Sequence, residues 1–342
     1  MKILLIGGTG TISTAITKKL LRDGGHEVYL INRGSRNDCL PDGCRILKCD
    51  INDEAAALKL LEGMSFDVVA DFIAFVPPQL ERDYRLFAGR TGQMMFISSA
   101  TVYRKPPADY KINEGASLAN PFWKYARDKL ACEDYLMRMF RENGFPVTIV
   151  RPSHTYDERS IPLGVHGDKG SWQVARRMLE GKPVIIQGDG TSLWTMTHNS
   201  DFAEAFTGLM GNIQAIGEAV QITSDEALTW NQIYSAIAGA LGAEFRPCYA
   251  PSDFLAKCSS YDFTGSLIGD KSNCAVFDNS KLKRLVPGFK AKVRFDQGIR
   301  MTVSNVMSDK SLQIEDPEFD AWCDRVAAAL DEAAQRVRDT CN

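Results

Sequence analysis

The stretch Gly7-Gly8-Thr9-Gly10-Thr11-Ile12-Ser13 constrains this chain most. It follows a short apolar run, Lys2–Ile6, and leads into helical spacing at Ile12, Ala15, Ile16 and Leu20, with Gly24-Gly25 as a stop. A glycine turn between a strand and a helix is the opening of a βαβ unit. Its glycines allow a pyrophosphate to approach the backbone, and the helix N-terminus offers N–H groups and partial positive charge. Gly7, Gly8, Gly10, Thr11 and Ile12 are therefore expected at a dinucleotide. Ser13 replaces the third glycine of the pattern and is small enough for close helix–strand packing.

The rest of the first half keeps the alternation. Glu27–Ile31, Arg45–Lys48, Phe66–Ala70, Gln93–Ile97 and Pro146–Val150 read as strands, with helices over 53–62, 79–88 and 122–141. Strands alternating with helices of this length predict an α/β fold: a doubly wound parallel Rossmann sheet. A chain of 342 residues exceeds one ordinary core, so a smaller interleaved α/β substrate lobe is expected. The expected division is 1–157 plus 194–213 for the sheet domain, and 158–193 plus 214–342 for the lobe. Two helices, Trp230–Leu241 and Pro317–Val337, fall in the latter.

Composition narrows the partners. A net charge of −3 gives no basic face for nucleic acid, and the apolar run near the start is too short for a membrane span. Nine cysteines without a Cys-x-x-Cys and four isolated histidines offer neither a disulfide framework nor a metal-ligand set. The expectation is a cytoplasmic protein with no metal, no membrane and no nucleic-acid partner, acting on a small molecule, with a homodimer as the assembly to consider.

Ser99 and the pair Tyr125-x-x-x-Lys129 carry the chemistry. A tyrosine and a lysine four apart on a helix share one face. An ammonium there favours the phenolate of a residue whose free pKa is about 10. A serine hydroxyl beside them holds a substrate oxygen while the proton moves. At the end of the second strand, Asn32-Arg33-Gly34-Ser35-Arg36 contains no carboxylate, whereas an acidic residue there holds the ribose of NAD. Arg33 and Arg36 suit the 2′-phosphate of NADP, so NADP is favoured over NAD.

In this order and spacing the motifs resemble those of an extended short-chain dehydrogenase/reductase of the NAD-dependent epimerase/dehydratase family. The resemblance runs through Asp50-Ile51, Phe96 to Tyr103, Tyr125 to Lys129, Arg151-Pro152-Ser153, Gly188-Asp189-Gly190, His198 to Asp201 and Phe277 to Lys281. It implies Ser99, Tyr125 and Lys129 as the catalytic trio, with Lys129 also on the nicotinamide ribose. It implies Asp50 at the adenine, Pro152-Ser153 beside the nicotinamide, and Ile51 and Ala74 as further cofactor contacts.

Three departures narrow the activity. Dehydratases of the family carry an Asp-Glu pair where this chain has Ala100-Thr101, so dehydration falls away, and decarboxylation with it. Trp194 stands where nucleotide-sugar members place an arginine on the substrate diphosphate. Either Trp194 stacks on substrate, or it is core and Arg176, Arg177 or Lys271 serves the diphosphate. His154 replaces a frequent asparagine and is a substrate contact or a structural histidine. The leading expectation is epimerisation of a sugar-like secondary alcohol. The alternatives are an NADPH-dependent reductase with exchangeable cofactor and a non-catalytic nucleic-acid scaffold like the chloroplast stem-loop binding proteins.

Overall fold

A computed structural model describes residues 1–34 and 42–340. Seven strands form one parallel sheet in the order Ala219–Ile222, Val147–Pro152, Met94–Ile97, Val68–Asp71, Lys2–Ile6, Glu27–Asn32, Arg45–Lys48. The chain starts in the middle and winds outward both ways, so the order reverses beside Lys2–Ile6. Ligands of open α/β sheets bind in the crevice at that switch point.

The alternation of side chains along a strand sets the two faces. Ile3 and Leu5 pack with Ile16 and Leu20 of helix Thr11–Asp23 and with Phe202 and Phe206 of helix Asn199–Leu209. Leu4 and Ile6 face the other way, toward Leu80 and Leu86 of helix Pro77–Phe87 and Cys132 and Leu136 of helix Lys124–Asn143. Each such side chain stabilises by about 1.5–3 kcal/mol when fully buried, which is why both faces of the sheet are apolar.

The expected boundary between sheet and lobe shifts. The sequence pattern places residues from 214 onward in the lobe, yet Ala219–Ile222 pairs with Val147–Pro152 at the sheet edge. Its residues Val220 and Ile222 are fully buried with the face that carries Phe202 and Phe206. A four-residue strand has too short an apolar pattern to be assigned from periodicity. A further apolar cluster is built around Trp194, Trp230, Tyr234, Ile237, Phe319 and Trp322. Among the described residues, no helix is long and apolar enough to cross a membrane.

One buried polar network fixes the helix that carries Tyr125 and Lys129. Glu133, one turn further along that helix, accepts from Arg151 Nε at 3.0 Å and Nη2 at 2.6 Å, and from the Ser98 hydroxyl at 2.5 Å. Arg151 also lies 4.9 Å from the Tyr103 ring centroid. This ties the helix to strand Val147–Pro152 and to the residue preceding Ser99.

Candidate active site

Two adjoining hollows lie at the C-terminal ends of the strands. The first is a groove of about 730 Å³ lined by Gly7, Gly10, Thr11, Ile12, Asn32 and Arg33, together with Asp50 and Ile51. Its turn is tightly built. Gly7 has φ of +83°, and a Cβ there would lie 2.5 Å from Ile73 Cγ2. A Cβ on Gly8 would lie 2.3 Å from Leu30 Cδ2, so Gly8 serves packing rather than the groove. Gly10 differs: an added Cβ would meet only Ser13 Oγ, at 3.4 Å, and would otherwise project into open space. Nothing within the fold demands glycine there, which suits close approach by a ligand's phosphates. Ser13 fixes the turn, donating to Gly7 O at 2.7 Å while accepting from Gly10 N at 2.8 Å.

Other expected cofactor positions divide. Asp50 Oδ1 accepts from Asn52 N and Nδ2 at 3.0 and 3.1 Å, which orients the carboxylate at the groove wall. Asn32 Oδ1 accepts from Gly34 N at 2.9 Å, and Arg33 is exposed at the rim. Arg36 lies outside the described residues. Ala74 is buried, and its carbonyl accepts from Lys129 Nζ at 2.7 Å. Asp71 shapes that loop by accepting from Ile73 N at 2.6 Å and Ala74 N at 2.9 Å.

The second hollow, about 380 Å³, brings Ser99, Tyr125, Pro152, Ser153, His154 and Trp194 together. Lys129 is buried, donating to Ala74 O and to Ile97 O at 2.8 Å. The rings of Phe75, Phe96 and Tyr125 surround its ammonium at 4.4, 4.9 and 5.9 Å. Burial lowers the Lys129 pKa from the usual 10.5 to about 8. The expected lowering of Tyr125 by this ammonium is absent, because the ammonium is directed at the two carbonyls. Burial instead pushes the Tyr125 phenol up, with the Ser99 hydrogen bond acting in the opposite sense.

Ser99 is oriented by Thr101. Ser99 Oγ accepts from the Thr101 hydroxyl at 3.0 Å and from Thr101 N at 3.2 Å. With both acceptor positions used, its own proton is free to donate toward Tyr125. Thr101 thus completes a hydroxyl chain, a role that side-chain acidity alone does not reveal.

Trp194 is buried against the Trp230 ring, with centroids 5.3 Å apart, and also lines the second hollow. Of the three cations considered as substitutes for arginine, Arg177 is committed to Asp320 and Asp324, and Arg176 to Glu180 and Glu315. Lys271 lines the hollow. It arrives on a π-helical segment, Thr264–Lys271, together with Asp270, which pairs with Lys105 at 3.3 Å. No sequence motif marks Lys105 or Asp270. Chain segments far apart in sequence bring them to the site.

The chain resembles known proteins in sequence and in fold. The family model described as NAD dependent epimerase/dehydratase family matches residues 3–223. The chain is 25% identical over 302 residues to a 2'-dehydrokanamycin reductase of Streptomyces kanamyceticus, covering 85% of this chain and 81% of that protein. It is 27% identical over 254 residues to the chloroplast stem-loop binding protein of 41 kDa b of Arabidopsis thaliana, covering 70% of this chain and 63% of that one. In fold it is similar to the UDP-glucuronic acid 4-epimerase from Bacillus cereus, solved in complex with NAD. There the TM-score is 0.71 at 19% identity, over 92% of this chain and all of that one. With a matched model spanning the glycine turn, the Ser99 and Tyr125 segments and the last sheet strand, the chain belongs to the NAD-dependent epimerase/dehydratase family.

Proposed function

We propose that this protein is an NAD(P)-dependent enzyme that moves a hydride on and off the carbinol carbon of a carbohydrate-like secondary alcohol, with epimerisation as the leading outcome. The observation that carries this reading is that Ser99 and Tyr125 line one hollow, while the buried Lys129 donates to the carbonyl of Ile97, a residue of the glycine groove. The nicotinamide would supply the hydride acceptor and donor. In this reading the glycine turn holds the pyrophosphate, Asp50 and Ile51 border the adenine, and Pro152 and Ser153 border the nicotinamide. Ser99, oriented by Thr101, donates to the substrate oxygen. Tyr125 takes and returns the hydroxyl proton, and Lys129 holds the ribose and the local positive charge.

A second reading is a reductase that exchanges NADPH. It is favoured by Arg33 at the groove and by the absence of a carboxylate at the end of strand Glu27–Asn32. The reductase relative from Streptomyces kanamyceticus points the same way. The stem-loop binding relative keeps a scaffold reading in view. Mass spectrometry of the cofactor released from purified protein, followed by turnover assays on wild type and Tyr125→Phe, decides among the three. A tightly held cofactor supports epimerisation, and one that must be added supports the reductase. Loss of the phenol acid/base should lower turnover about 10²–10⁴-fold with cofactor binding retained. Undiminished turnover in Tyr125→Phe would sink the assignment.

A further inference from the structure

A second buried network joins two walls of the glycine groove. Asp71 ends strand Val68–Asp71, and Arg82 and Asp83 stand on helix Pro77–Phe87. All three are buried, the two carboxyl groups completely. Arg82 donates from Nε at 2.9 Å and Nη2 at 2.7 Å to Asp83 Oδ1, and from Nη2 at 3.2 Å to Asp71 Oδ2. One guanidinium thus serves two carboxyl groups, and a single nitrogen reaches both.

The two carboxyls differ in their donors. Asp71 is served on both oxygens, by Ile73 N and Ala74 N on Oδ1 and by Arg82 on Oδ2. Asp83 is served on Oδ1 alone, and no donor among the described residues reaches its buried Oδ2. A bare carboxylate oxygen in the interior is costly, and two adjacent buried carboxylates do not both ionise. A proton on Asp83 Oδ2 removes both costs, because the acid then donates to Asp71. Burial foremost, then the Asp71 charge and the hydrogen bond between the carboxyls, hold Asp83 well above the usual carboxylate range, with Arg82 opposing.

From this pair, bonds run to both walls. Asp71 fixes Ile73, which lines the groove, and Ala74, whose carbonyl accepts from Lys129. On the other side Arg82 Nη1 donates to Asn52 Oδ1 at 2.8 Å, and Asn52 in turn donates to Asp50; both line the groove. Helix Lys124–Asn143 presents Lys129 and Cys132 to Asp71, and Glu54 of helix Glu54–Leu60 faces Arg82. Burial opposes the Lys129 charge, while Cys132, Asp71 and Glu133 favour it. Cys132 is kept a neutral thiol by its own burial, which pushes it up to about 12, so Asp71 and Glu133 are the anions acting on the ammonium.

We propose that Asp83 is a carboxylic acid that donates its proton to Asp71, and that this acid–carboxylate pair, with Arg82, is the positioning element of the cofactor groove. The shared proton stays on Asp83, so Asp71 keeps the negative charge that fixes the Ile73–Ala74 turn and supports the ammonium of Lys129. Asp71, Arg82 and Asp83 are positioning residues: they act through Ala74, Asn52 and Lys129. This inference rests on the reading of the glycine groove as a nicotinamide-cofactor site.

The test joins infrared spectroscopy to titration of the full chain with NADPH and NADH. At neutral pH the wild-type spectrum minus that of Asp83→Asn should show the carbonyl stretch of a protonated carboxyl group, shifted in heavy water. Asp83→Asn keeps a neutral donor to Asp71 and an acceptor for Arg82, so its cofactor affinity should stay within about threefold of wild type. Asp83→Leu removes both and should weaken cofactor binding about tenfold. Asp71→Asn retains an acceptor for Ile73 N and Ala74 N but loses the charge. The alkaline limb of cofactor binding, set by Lys129 near 8, should then move down by about one pH unit, because a lost anion disfavours the ammonium. Should Asp83→Leu not fold, the infrared band and Asp83→Asn carry the test. Absence of the protonated-carboxyl band, an Asp83→Asn variant that unfolds or binds cofactor as poorly as Asp83→Leu, or an unmoved limb in Asp71→Asn overturns the proposal. Failure of wild type to bind either cofactor would instead overturn the oxidoreductase reading, with the infrared band still reporting on Asp83.

Discussion

Replacing Lys129 by methionine should separate stability from function. The side chain is 2% exposed, and its pKa falls from the usual 10.5 to about 8. That gap corresponds to roughly 3 kcal/mol by which burial disfavours the charged form at neutral pH. Methionine keeps the unbranched stem among Phe75, Phe96 and Tyr125 and removes the buried charge. Against this gain, the carbonyls of Ala74 and Ile97 lose a donor, at about 1 kcal/mol each. The two effects leave the cofactor-free variant equal to wild type or about 1 kcal/mol more stable, a rise of roughly 1–2 °C in Tm for a chain this size. The pH dependence has a definite sign. Folded Lys129 loses its proton at about 8, below the unfolded value of 10.5, so between these values the unfolded chain binds more protons. The wild-type stability due to this group therefore rises with pH through that window. The relative advantage of the variant is greatest below pH 8 and fades toward 10.5. Cofactor binding and turnover should fall together, turnover by about 100-fold or more, because the same ammonium is assigned to the ribose and the local charge. Urea denaturation of the cofactor-free protein across this pH range provides the assay. A loss of 3 kcal/mol or more on substitution would show the ammonium to be a net stabiliser and refute the reasoning.

Glu133→Ala leaves Arg151 buried without its carboxylate and should cost about 3–5 kcal/mol by urea denaturation; Glu133→Gln combined with Arg151→Met should recover much of it. Arg33→Ala should weaken NADPH by about 1.5–3 kcal/mol while changing NADH little, and equal losses for both cofactors would remove the 2′-phosphate assignment. Thr101→Val removes one of the two donors that orient Ser99 and should lower turnover about fivefold with cofactor affinity unchanged, measured by steady-state kinetics.

Some of this molecule is written locally. The glycine turn, its flanking strand and helix, and the recurring strand–helix alternation specify the parallel sheet, because each rests on periodicity and backbone chemistry within a few residues. Ser99, Tyr125 and Lys129 were legible for the same reason: a motif on a strand end and a motif on one helix face occupy fixed places once the sheet forms. The short strand Ala219–Ile222 was not, since its side chains become apolar partners only when Val147–Pro152 is beside them. The electrostatics of the site were also beyond local reading. Spacing brings Tyr125 and Lys129 to one helix face, but burial and the carbonyls of Ala74 and Ile97 decide where the ammonium points and which way the phenol titrates. Lys105, Asp270 and Lys271 meet His154 only through loops separated by long stretches of chain, and the Trp194–His154 bond joins two residues that sequence presents as unrelated oddities. Backbone pattern is a property of neighbours in the chain; charge pairing, desolvation and tautomer are properties of neighbours in space, and only the folded molecule determines them.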